Sequence, residues 1–213
     1  MKVDPLRKQP RQSRSRALVN SILEAAGDLL GKSAEDPNAI PVQKIAERAG
    51  VGIGSVYDYF ANSDGVWGGF LSWLTERNFT TLEQQVEGAG ATFTERLPAL
   101  VDASLALYLD APARTRGVIM AIARLGWMKQ VVKERDRFAH VLSAKLKVEH
   151  PHVPQATLDR LSEVLCDAVI GVVLGELWRE PDAARHAEVR HHLKGLVQRE
   201  VQAAIGASAS GSR

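Results

Sequence analysis

Residues 41–60 read Pro-Val-Gln-Lys-Ile-Ala-Glu-Arg-Ala-Gly-Val-Gly-Ile-Gly-Ser-Val-Tyr-Asp-Tyr-Phe, and this segment is the most informative in the chain. Its first half carries apolar residues at helical spacing, namely Val42, Ile45, Ala46 and Ala49. Gly50 follows at the point where a helix can end in a left-handed residue, a conformation that glycine adopts at little cost. In the second half, Val56 and Phe60 lie four residues apart and share one helical face. Two short helices joined by a tight glycine-containing turn are typical of a helix-turn-helix motif.

The opposite face of the second short helix offers groups suited to a DNA groove. Its residues are Ile53, Gly54, Ser55, Tyr57 and Tyr59. An isoleucine can lie against a thymine methyl group in the major groove, and hydroxyl groups can bond to base edges or phosphates. Gly52 and Gly54 let the backbone approach a phosphate closely. We therefore predict that Ile53, Gly54, Ser55 and Tyr57 meet the major groove. Tyr59 is predicted to contact phosphate, with a half-buried core position as the alternative.

Positive charge is concentrated at the N-terminus. Positions 1–16 hold six basic residues and one acidic residue, whereas the whole chain has a net charge of only +2. A basic arm on a near-neutral body indicates a polyanionic partner. We predict contacts to phosphate or to an adjacent minor groove from Gln43, Lys44, Arg11, Arg14 and Arg16. The alternative is a solvated tail without a partner.

The remaining sequence also has helical periodicity, because apolar residues recur at intervals of three and four and no long segment alternates with period two. The predicted helices span about 13–31, 41–49, 53–60, 63–87, 92–109, 112–124, 127–149, 155–179 and 183–205. Thr92 and Glu95 fit a capping box at the start of the fifth of these helices. The predicted fold class is all-α with about nine helices. The predicted organisation is a flexible basic arm at 1–15, a helix-turn-helix domain at 16–62, a helical domain at 63–206 and a disordered tail at 207–213.

Composition excludes several classes of protein. The chain has 213 residues and one cysteine, Cys166, so no intramolecular disulfide can form and a reducing, cytoplasmic compartment is expected. The longest uncharged apolar run, 168–175, is far shorter than the roughly 20 residues that span a bilayer. The histidines form no His-Glu-x-x-His pattern, and no local Ser-His-acid set is present. We therefore expect no metal, no cofactor, no catalytic residue and no membrane partner.

Two sets of residues in the C-terminal part are candidates for ligand and partner contacts. A small-molecule cavity, with ordinary core packing as the alternative, is predicted among Tyr108, Met120, Arg124 and Trp127. The helix at 155–179 is apolar nearly all round in its second half, so it must be covered on both sides. Its small residues would let a second backbone approach, which favours a two-fold dimer through a four-helix bundle over a central helix buried in a monomer. The predicted interface residues are Ala168, Gly171, Val172, Gly175, Leu193, Leu196 and Val197.

Residues 16–66 resemble the DNA-binding domain of the TetR family of bacterial transcriptional regulators. The matching residues are Ile22-Leu23-Glu24-Ala25-Ala26, then Ile45-Ala46-x-x-Ala49-Gly50-Val51, then Gly54-Ser55-Val56-Tyr57-x-Tyr59-Phe60. The resemblance implies a homodimer that places two helix-turn-helix domains on a palindromic operator in double-stranded DNA. It also implies a C-terminal helical domain that binds a small effector. The predicted function is therefore a sequence-specific transcriptional regulator, a repressor that a small molecule releases.

Three positions depart from the family pattern. Ile40-Pro41 stand where the family has a capping threonine, Gly52 stands where it has a small polar residue, and Ser63 replaces a lysine. Each departure removes a phosphate contact. They leave open a module of the same fold that binds DNA without sequence preference or binds other proteins. A helical enzyme is the third hypothesis, and no catalytic constellation in the sequence favours it.

Overall fold

The computed structural model describes residues 6–8, 10, 12–33, 35–88 and 92–210, the last three as backbone only. Within these ranges the chain forms nine α-helices and one short 3₁₀ helix at Pro37–Ala39, and no β-strand. The helices are α1 Ser13–Leu29, α2 Val42–Ala49, α3 Ile53–Tyr59, α4 Ser63–Glu87, α5 Phe93–Leu109, α6 Pro112–Leu125, α7 Met128–Glu149, α8 Gln155–Leu177 and α9 Ala183–Ser210. The predicted all-α class is confirmed.

Helix ends lie within two residues of their predicted positions, except at the C-terminus. There α9 continues to Ser210, so residues 207–210 are helical where the sequence predicted a disordered tail. Residues 211–213 lie outside the described residues. The 3₁₀ helix was not predicted either. Asp36 caps it by accepting a hydrogen bond from the backbone N–H of Asn38 at 2.8 Å.

The turn between α2 and α3 has the geometry expected from its glycine. Gly50 adopts a φ of 69°, and its N–H donates to the carbonyls of Ala46 and Glu47. The N–H of Val51 also donates to the Ala46 carbonyl, at 3.0 Å. These bonds satisfy carbonyl groups that would otherwise be left free at the helix end. The turn therefore fixes the angle at which α3 leaves α2.

The helices form two compact units. The first unit comprises Met1–Arg77 and Ala111–Lys129, and the second comprises Asn78–Asp110 and Gln130–Arg213. The division falls inside α4 and assigns α6 to the first unit. The domain boundary predicted at residue 62 therefore differs from the observed division.

Burial explains why α6 belongs to the first unit. Ala121 of α6 is fully buried in the same core as Ile22, Trp67 and Phe70, and further apolar residues of α6 pack against that core. The rings of Trp67 and Phe70 meet edge to face with their centroids 5.9 Å apart. Full burial of one such side chain stabilises a fold by about 1.5–3 kcal/mol. The helix-turn-helix therefore shares its core with α6.

Polar contacts also join α6 to the segment between α1 and α2. The Arg116 guanidinium donates from Nε and Nη2 to the two carboxylate oxygens of Glu35, at 2.8 and 2.6 Å. This hydrogen bonding lowers the pKa of Glu35. Gly31 has a φ of 89°, and a Cβ there would lie 2.5 Å from the backbone nitrogen of Arg114. A side chain at position 31 would therefore collide with the backbone of α6.

The second unit packs α5, α8 and α9 against one another, together with α7. The predicted capping box is confirmed, because the N–H of Thr92 donates to the Glu95 carboxylate at 2.9 Å and the N–H of Glu95 donates to Thr92 Oγ1 at 3.2 Å. Glu149, at the end of α7, also accepts hydrogen bonds from the backbone N–H groups of Phe93 and Thr94. Burial raises the pKa of Glu149, but these hydrogen bonds outweigh it, so the pKa is lowered. Its carboxylate therefore ties α7 to the first turn of α5.

Candidate nucleic-acid interface

The recognition-helix candidate α3 has one buried side and one exposed side. Val56 is fully buried, as is Phe60 directly after the helix. Outside this buried side, Ile53 is 43% exposed and Tyr57 is 41% exposed. Large apolar groups left open to solvent on a short helix are typical of a contact surface. Ser55 and Tyr59 are half-buried at the edges of this side.

The exposed surface at the start of α3 has no side chains at positions 52 and 54, because both residues are glycines. Apart from the glycine itself, its chain neighbours and the backbone of α3, no described heavy atom lies within 4 Å of the position that a Cβ would occupy on Gly52 or on Gly54. The space around both glycines is therefore open, and a ligand can come close to the backbone there. Tyr59, by contrast, packs partly against the core of the first unit.

The first turn of α2 contains Gln43 and Lys44, the two polar residues that were predicted to contact phosphate or an adjacent minor groove. Gln43 and Lys44 are both exposed, and Gln43 Nε2 donates to the Glu47 carboxylate at 3.0 Å. In the last turn of the same helix, Arg48 forms an ion pair with Asp28 of α1. This pair joins residues that are 20 positions apart, so no local pattern predicts it.

The N-terminal segment contacts the end of α3. Leu6 packs against the core of the first unit, and the N–H of Arg7 donates to the carbonyl of Tyr59 at 2.8 Å. The side chains of Arg7 and Lys8 are exposed. Residues 6–8, predicted to be part of a flexible arm, are therefore docked beside α3. Arg7 and Lys8 were not among the predicted contacts, because the sequence shows their charge but not this docking.

The three arginines that were predicted to contact DNA, Arg11, Arg14 and Arg16, lie just before α1 or in its first turn. Arg14 and Arg16 are exposed on α1, which begins at Ser13, and Arg16 Nε donates to the carbonyl of Pro10 at 3.5 Å. Arg11 lies outside the described residues.

The four residues predicted to line an effector cavity are divided between the units. Met120, Arg124 and Trp127 belong to the first unit, where Met120 is 41% exposed and Trp127 packs against the core. Arg124 forms an ion pair with Asp64 of α4. Tyr108 belongs to the second unit, and burial raises the pKa of its phenol. An effector site composed of all four remains a prediction.

The residues predicted at a dimer interface differ in their exposure. Gly171 and Gly175 are exposed, and apart from their chain neighbours and the backbone of α8 no described heavy atom lies within 4 Å of either Cβ position. Leu196 is 39% exposed. Ala168 and Val172 are half-buried. Leu193 and Val197 are buried, because that side of α9 faces the core of its own unit. Val164, Ile170 and Leu174 of α8 are exposed as well, as is Trp178 directly after the helix.

The described residues were also compared with the requirements for metal binding, a reactive thiol and a membrane span. No group of three or more histidine, cysteine or acidic residues there has the arrangement needed to hold a metal ion. Cys166 is buried, and burial raises the pKa of its thiol to about 12. A thiol with that pKa is a poor nucleophile at neutral pH. No helix in the described ranges is long and apolar enough to cross a membrane.

Comparison with solved structures identifies the fold. A TetR-family transcriptional regulator from Streptomyces coelicolor superposes with a TM-score of 0.62 at 21% identity, covering 87% of this chain and 95% of that one. A candidate transcriptional regulator from Pseudomonas aeruginosa PAO1 superposes with a TM-score of 0.59 at 19% identity, covering 100% of this chain and 99% of that one. No family profile and no curated protein matches the sequence. The chain therefore has the fold of TetR-family regulators, as the helix-turn-helix residues predicted.

Proposed function

We propose that this protein is a sequence-specific DNA-binding transcriptional regulator that inserts α3 into the major groove. The observation that carries the proposal is the exposed surface of α3, which presents the side chains of Ile53 and Tyr57 and the open backbone of Gly54. A helix placed this way, after a tight turn and with its other side in the core, is the reading element of helix-turn-helix proteins. Likeness in fold to transcriptional regulators supports the same assignment.

The proposed contacts fall into two classes. Ile53, Gly54, Ser55 and Tyr57 meet base edges, with the isoleucine against a thymine methyl group. Phosphates, or an adjacent minor groove, are met by Gln43, Lys44, Tyr59, Arg11, Arg14 and Arg16. To these we add Arg7 and Lys8, because their segment is hydrogen-bonded to the end of α3. Contacts of the second class set the position and affinity of the protein but carry little sequence information.

A palindromic operator requires two copies of α3, and we propose a two-fold dimer to supply them. Gly171 and Gly175 leave the surface of α8 open to a second backbone, and Leu174 and Leu196 are exposed on α8 and α9. Four helices, two from each copy, would cover this surface. Leu193 and Val197 are not part of the proposed interface, because they are buried in their own unit.

The regulatory part of the proposal is a repressor that leaves its operator when a small molecule binds the helical domain. Such an effector acts by binding better to a conformation with low operator affinity, and the loss of affinity equals the ratio of its affinities for the two states. Tyr108 is the candidate contact in the second unit, where its side chain is half-buried.

A second candidate is a module of the same fold that binds DNA without sequence preference or binds other proteins. The start of α4 favours it: Ser63 stands there, Asn62 Oδ1 accepts the N–H of Gly65 at 2.9 Å, and Asp64 is the charged residue of the first turn. Neither the Ser63 hydroxyl nor the Asp64 carboxylate, which is ion-paired with Arg124, supplies the positive charge that a lysine would bring to a phosphate.

Selection of duplexes from a random pool distinguishes these candidates. The proposed regulator enriches one sequence with two inverted half-sites and binds it more tightly than a shuffled duplex by at least about a thousandfold. Equal binding to all duplexes, or to none, contradicts the proposal and supports the second candidate.

A further inference from the structure

Asp58 is an acidic residue on the side of α3 that is proposed to face DNA. It is exposed, and it follows the exposed Gly54 by four residues, which places both on one side of the helix. The proposed function did not use it, because a carboxylate near phosphates is repelled and weakens binding to every sequence. Its presence at this position therefore needs an explanation.

Structural stabilisation does not supply that explanation. Asp58 is the last residue but one of α3, and a negative charge in the last turn of a helix interacts unfavourably with the helix dipole. Among the residues that the structure describes, none lies within ion-pair distance of its carboxylate. The charge therefore destabilises the isolated helix and is not offset by a described partner.

In the major groove, a carboxylate can form a favourable hydrogen bond without facing an acceptor on the same base at only one of the four bases. In the major groove, guanine presents two acceptors, thymine presents an acceptor and a methyl group, and adenine presents an acceptor beside its amine. Cytosine presents an amine donor without an acceptor on the same base. We propose that Asp58 accepts a hydrogen bond from the cytosine amine and thereby specifies a C·G pair at one position of each half-site. This inference rests on the proposed function and names part of its sequence preference.

Gly54, one turn before Asp58, allows the helix backbone to come close enough to the bases for the short aspartate side chain to reach the cytosine amine. An aspartate extends only two bonds from Cα to its carboxylate carbon, so the helix backbone must lie deep in the groove. Apart from the backbone of α3 and the two chain neighbours of Gly54, no described atom lies within 4 Å of the Cβ position of Gly54, so the helix surface one turn before Asp58 is open. Tyr57, next to Asp58, is 41% exposed and would border the same base pair.

The test repeats the duplex selection with the full-length chain and three variants. Asp58→Asn keeps the size of the side chain and adds a donor, Asp58→Ala removes the group, and Glu24→Gln removes an exposed charge from α1 as the matched control. Titrations on the selected duplex and its single-base substitutions give the preference at each position. The wild type and Glu24→Gln are expected to prefer C·G at one position of each half-site by about tenfold.

Each variant at position 58 has its own expected result. Asp58→Asn should lose the cytosine preference and gain adenine, because an amide pairs with the acceptor and amine of adenine. Asp58→Ala should accept all four bases at that position while it keeps the preferences elsewhere. Unchanged preferences, with affinity for all duplexes raised equally, would show that Asp58 acts only through its charge and would overturn the inference. A wild type that selects no sequence would instead contradict the proposed function, and this inference with it.

Discussion

Replacing Tyr57 with alanine should test DNA binding separately from folding, because the side chain of Tyr57 is exposed whereas that of its neighbour Val56 is buried. Tyr57 is 41% exposed and Val56 is fully buried. The loss of a base contact costs about 1–3 kcal/mol of binding, which weakens the specific dissociation constant by roughly 5- to 150-fold. Truncation of a side chain this exposed should change the free energy of unfolding by about 1 kcal/mol or less.

Val56→Ala is the matched control on the same helix. It removes two buried carbon atoms and leaves a cavity, so the free energy of unfolding should fall by about 2 kcal/mol. Binding to the selected duplex should stay close to that of the wild type at temperatures where the variant is folded. Tyr57→Phe adds a finer comparison, because it removes the hydroxyl group and keeps the ring.

The assay is a fluorescence-anisotropy titration on the selected duplex and on a shuffled one, together with urea unfolding of each variant. Tyr57→Ala should bind the selected duplex roughly 5- to 150-fold more weakly than the wild type does, so its preference over the shuffled duplex should fall by the same factor. It should unfold at nearly the urea concentration of the wild type. Two results would contradict this expectation: a Tyr57→Ala variant that binds the selected duplex like the wild type, or one that loses as much stability as Val56→Ala.

Four further predictions concern the dimer, the N-terminal segment and the stability of the fold. Gly171→Leu or Gly175→Leu should shift the protein from dimer to monomer in sedimentation velocity and abolish operator binding, and a variant that stays dimeric and binds normally would contradict the proposed interface. Deletion of residues 1–10 should weaken binding to every duplex. The slope of log K against log salt should become shallower by about 0.9 for each phosphate contact that the deletion removes. An unchanged slope would identify the arm as a tail without a partner. Glu149→Gln should lower the free energy of unfolding at neutral pH by about 1–2 kcal/mol. Since the folded-state pKa of Glu149 is lowered, the stabilisation by its carboxylate is present above about pH 4.5 and is lost as the pH falls. The free energies of unfolding of the wild type and the variant should therefore become equal in acid. Gly31→Ala should lower the thermal midpoint, because its φ is positive and its Cβ would meet the backbone of α6, and an unchanged midpoint would contradict that close approach.

The fold is predictable from the sequence where local rules decide the structure. The end of α2 follows from Gly50, and the buried side of α3 follows from the spacing of Val56 and Phe60. The capping box at Thr92 follows from two residues at a fixed interval. In each case the deciding contacts join residues at most a few positions apart, so the sequence contains the whole signal.

The fold is not predictable in this way where distant segments meet. The assignment of α6 to the first unit depends on Ala121 entering a core formed by α1 and α4, and on the bond between Arg116 and Glu35, 81 positions apart. The periodicity of α6 shows that it has an apolar side but not which core receives it. The same limit applies to Leu193, whose apolar character fits a dimer interface as well as the core where it lies.

The docked N-terminal segment shows this limit at the candidate site. A run of basic residues predicts a polyanionic partner, and the sequence can state that much. The hydrogen bond from Arg7 to the Tyr59 carbonyl joins the chain's beginning to the end of α3, and no pattern in either segment predicts it. The positive charge of the N-terminal segment was therefore predictable, whereas its position beside the end of α3 was not.

The proposed function requires that two copies of this 23.2 kDa chain read one palindromic duplex through α3. Sedimentation equilibrium of the full-length chain with the duplex obtained by selection measures the number of chains on each duplex. We expect a saturated complex of two chains on one duplex, and much weaker binding of the same dimer when one half-site is scrambled. A complex that takes up more chains in proportion to duplex length, whatever its sequence, would contradict the proposed function.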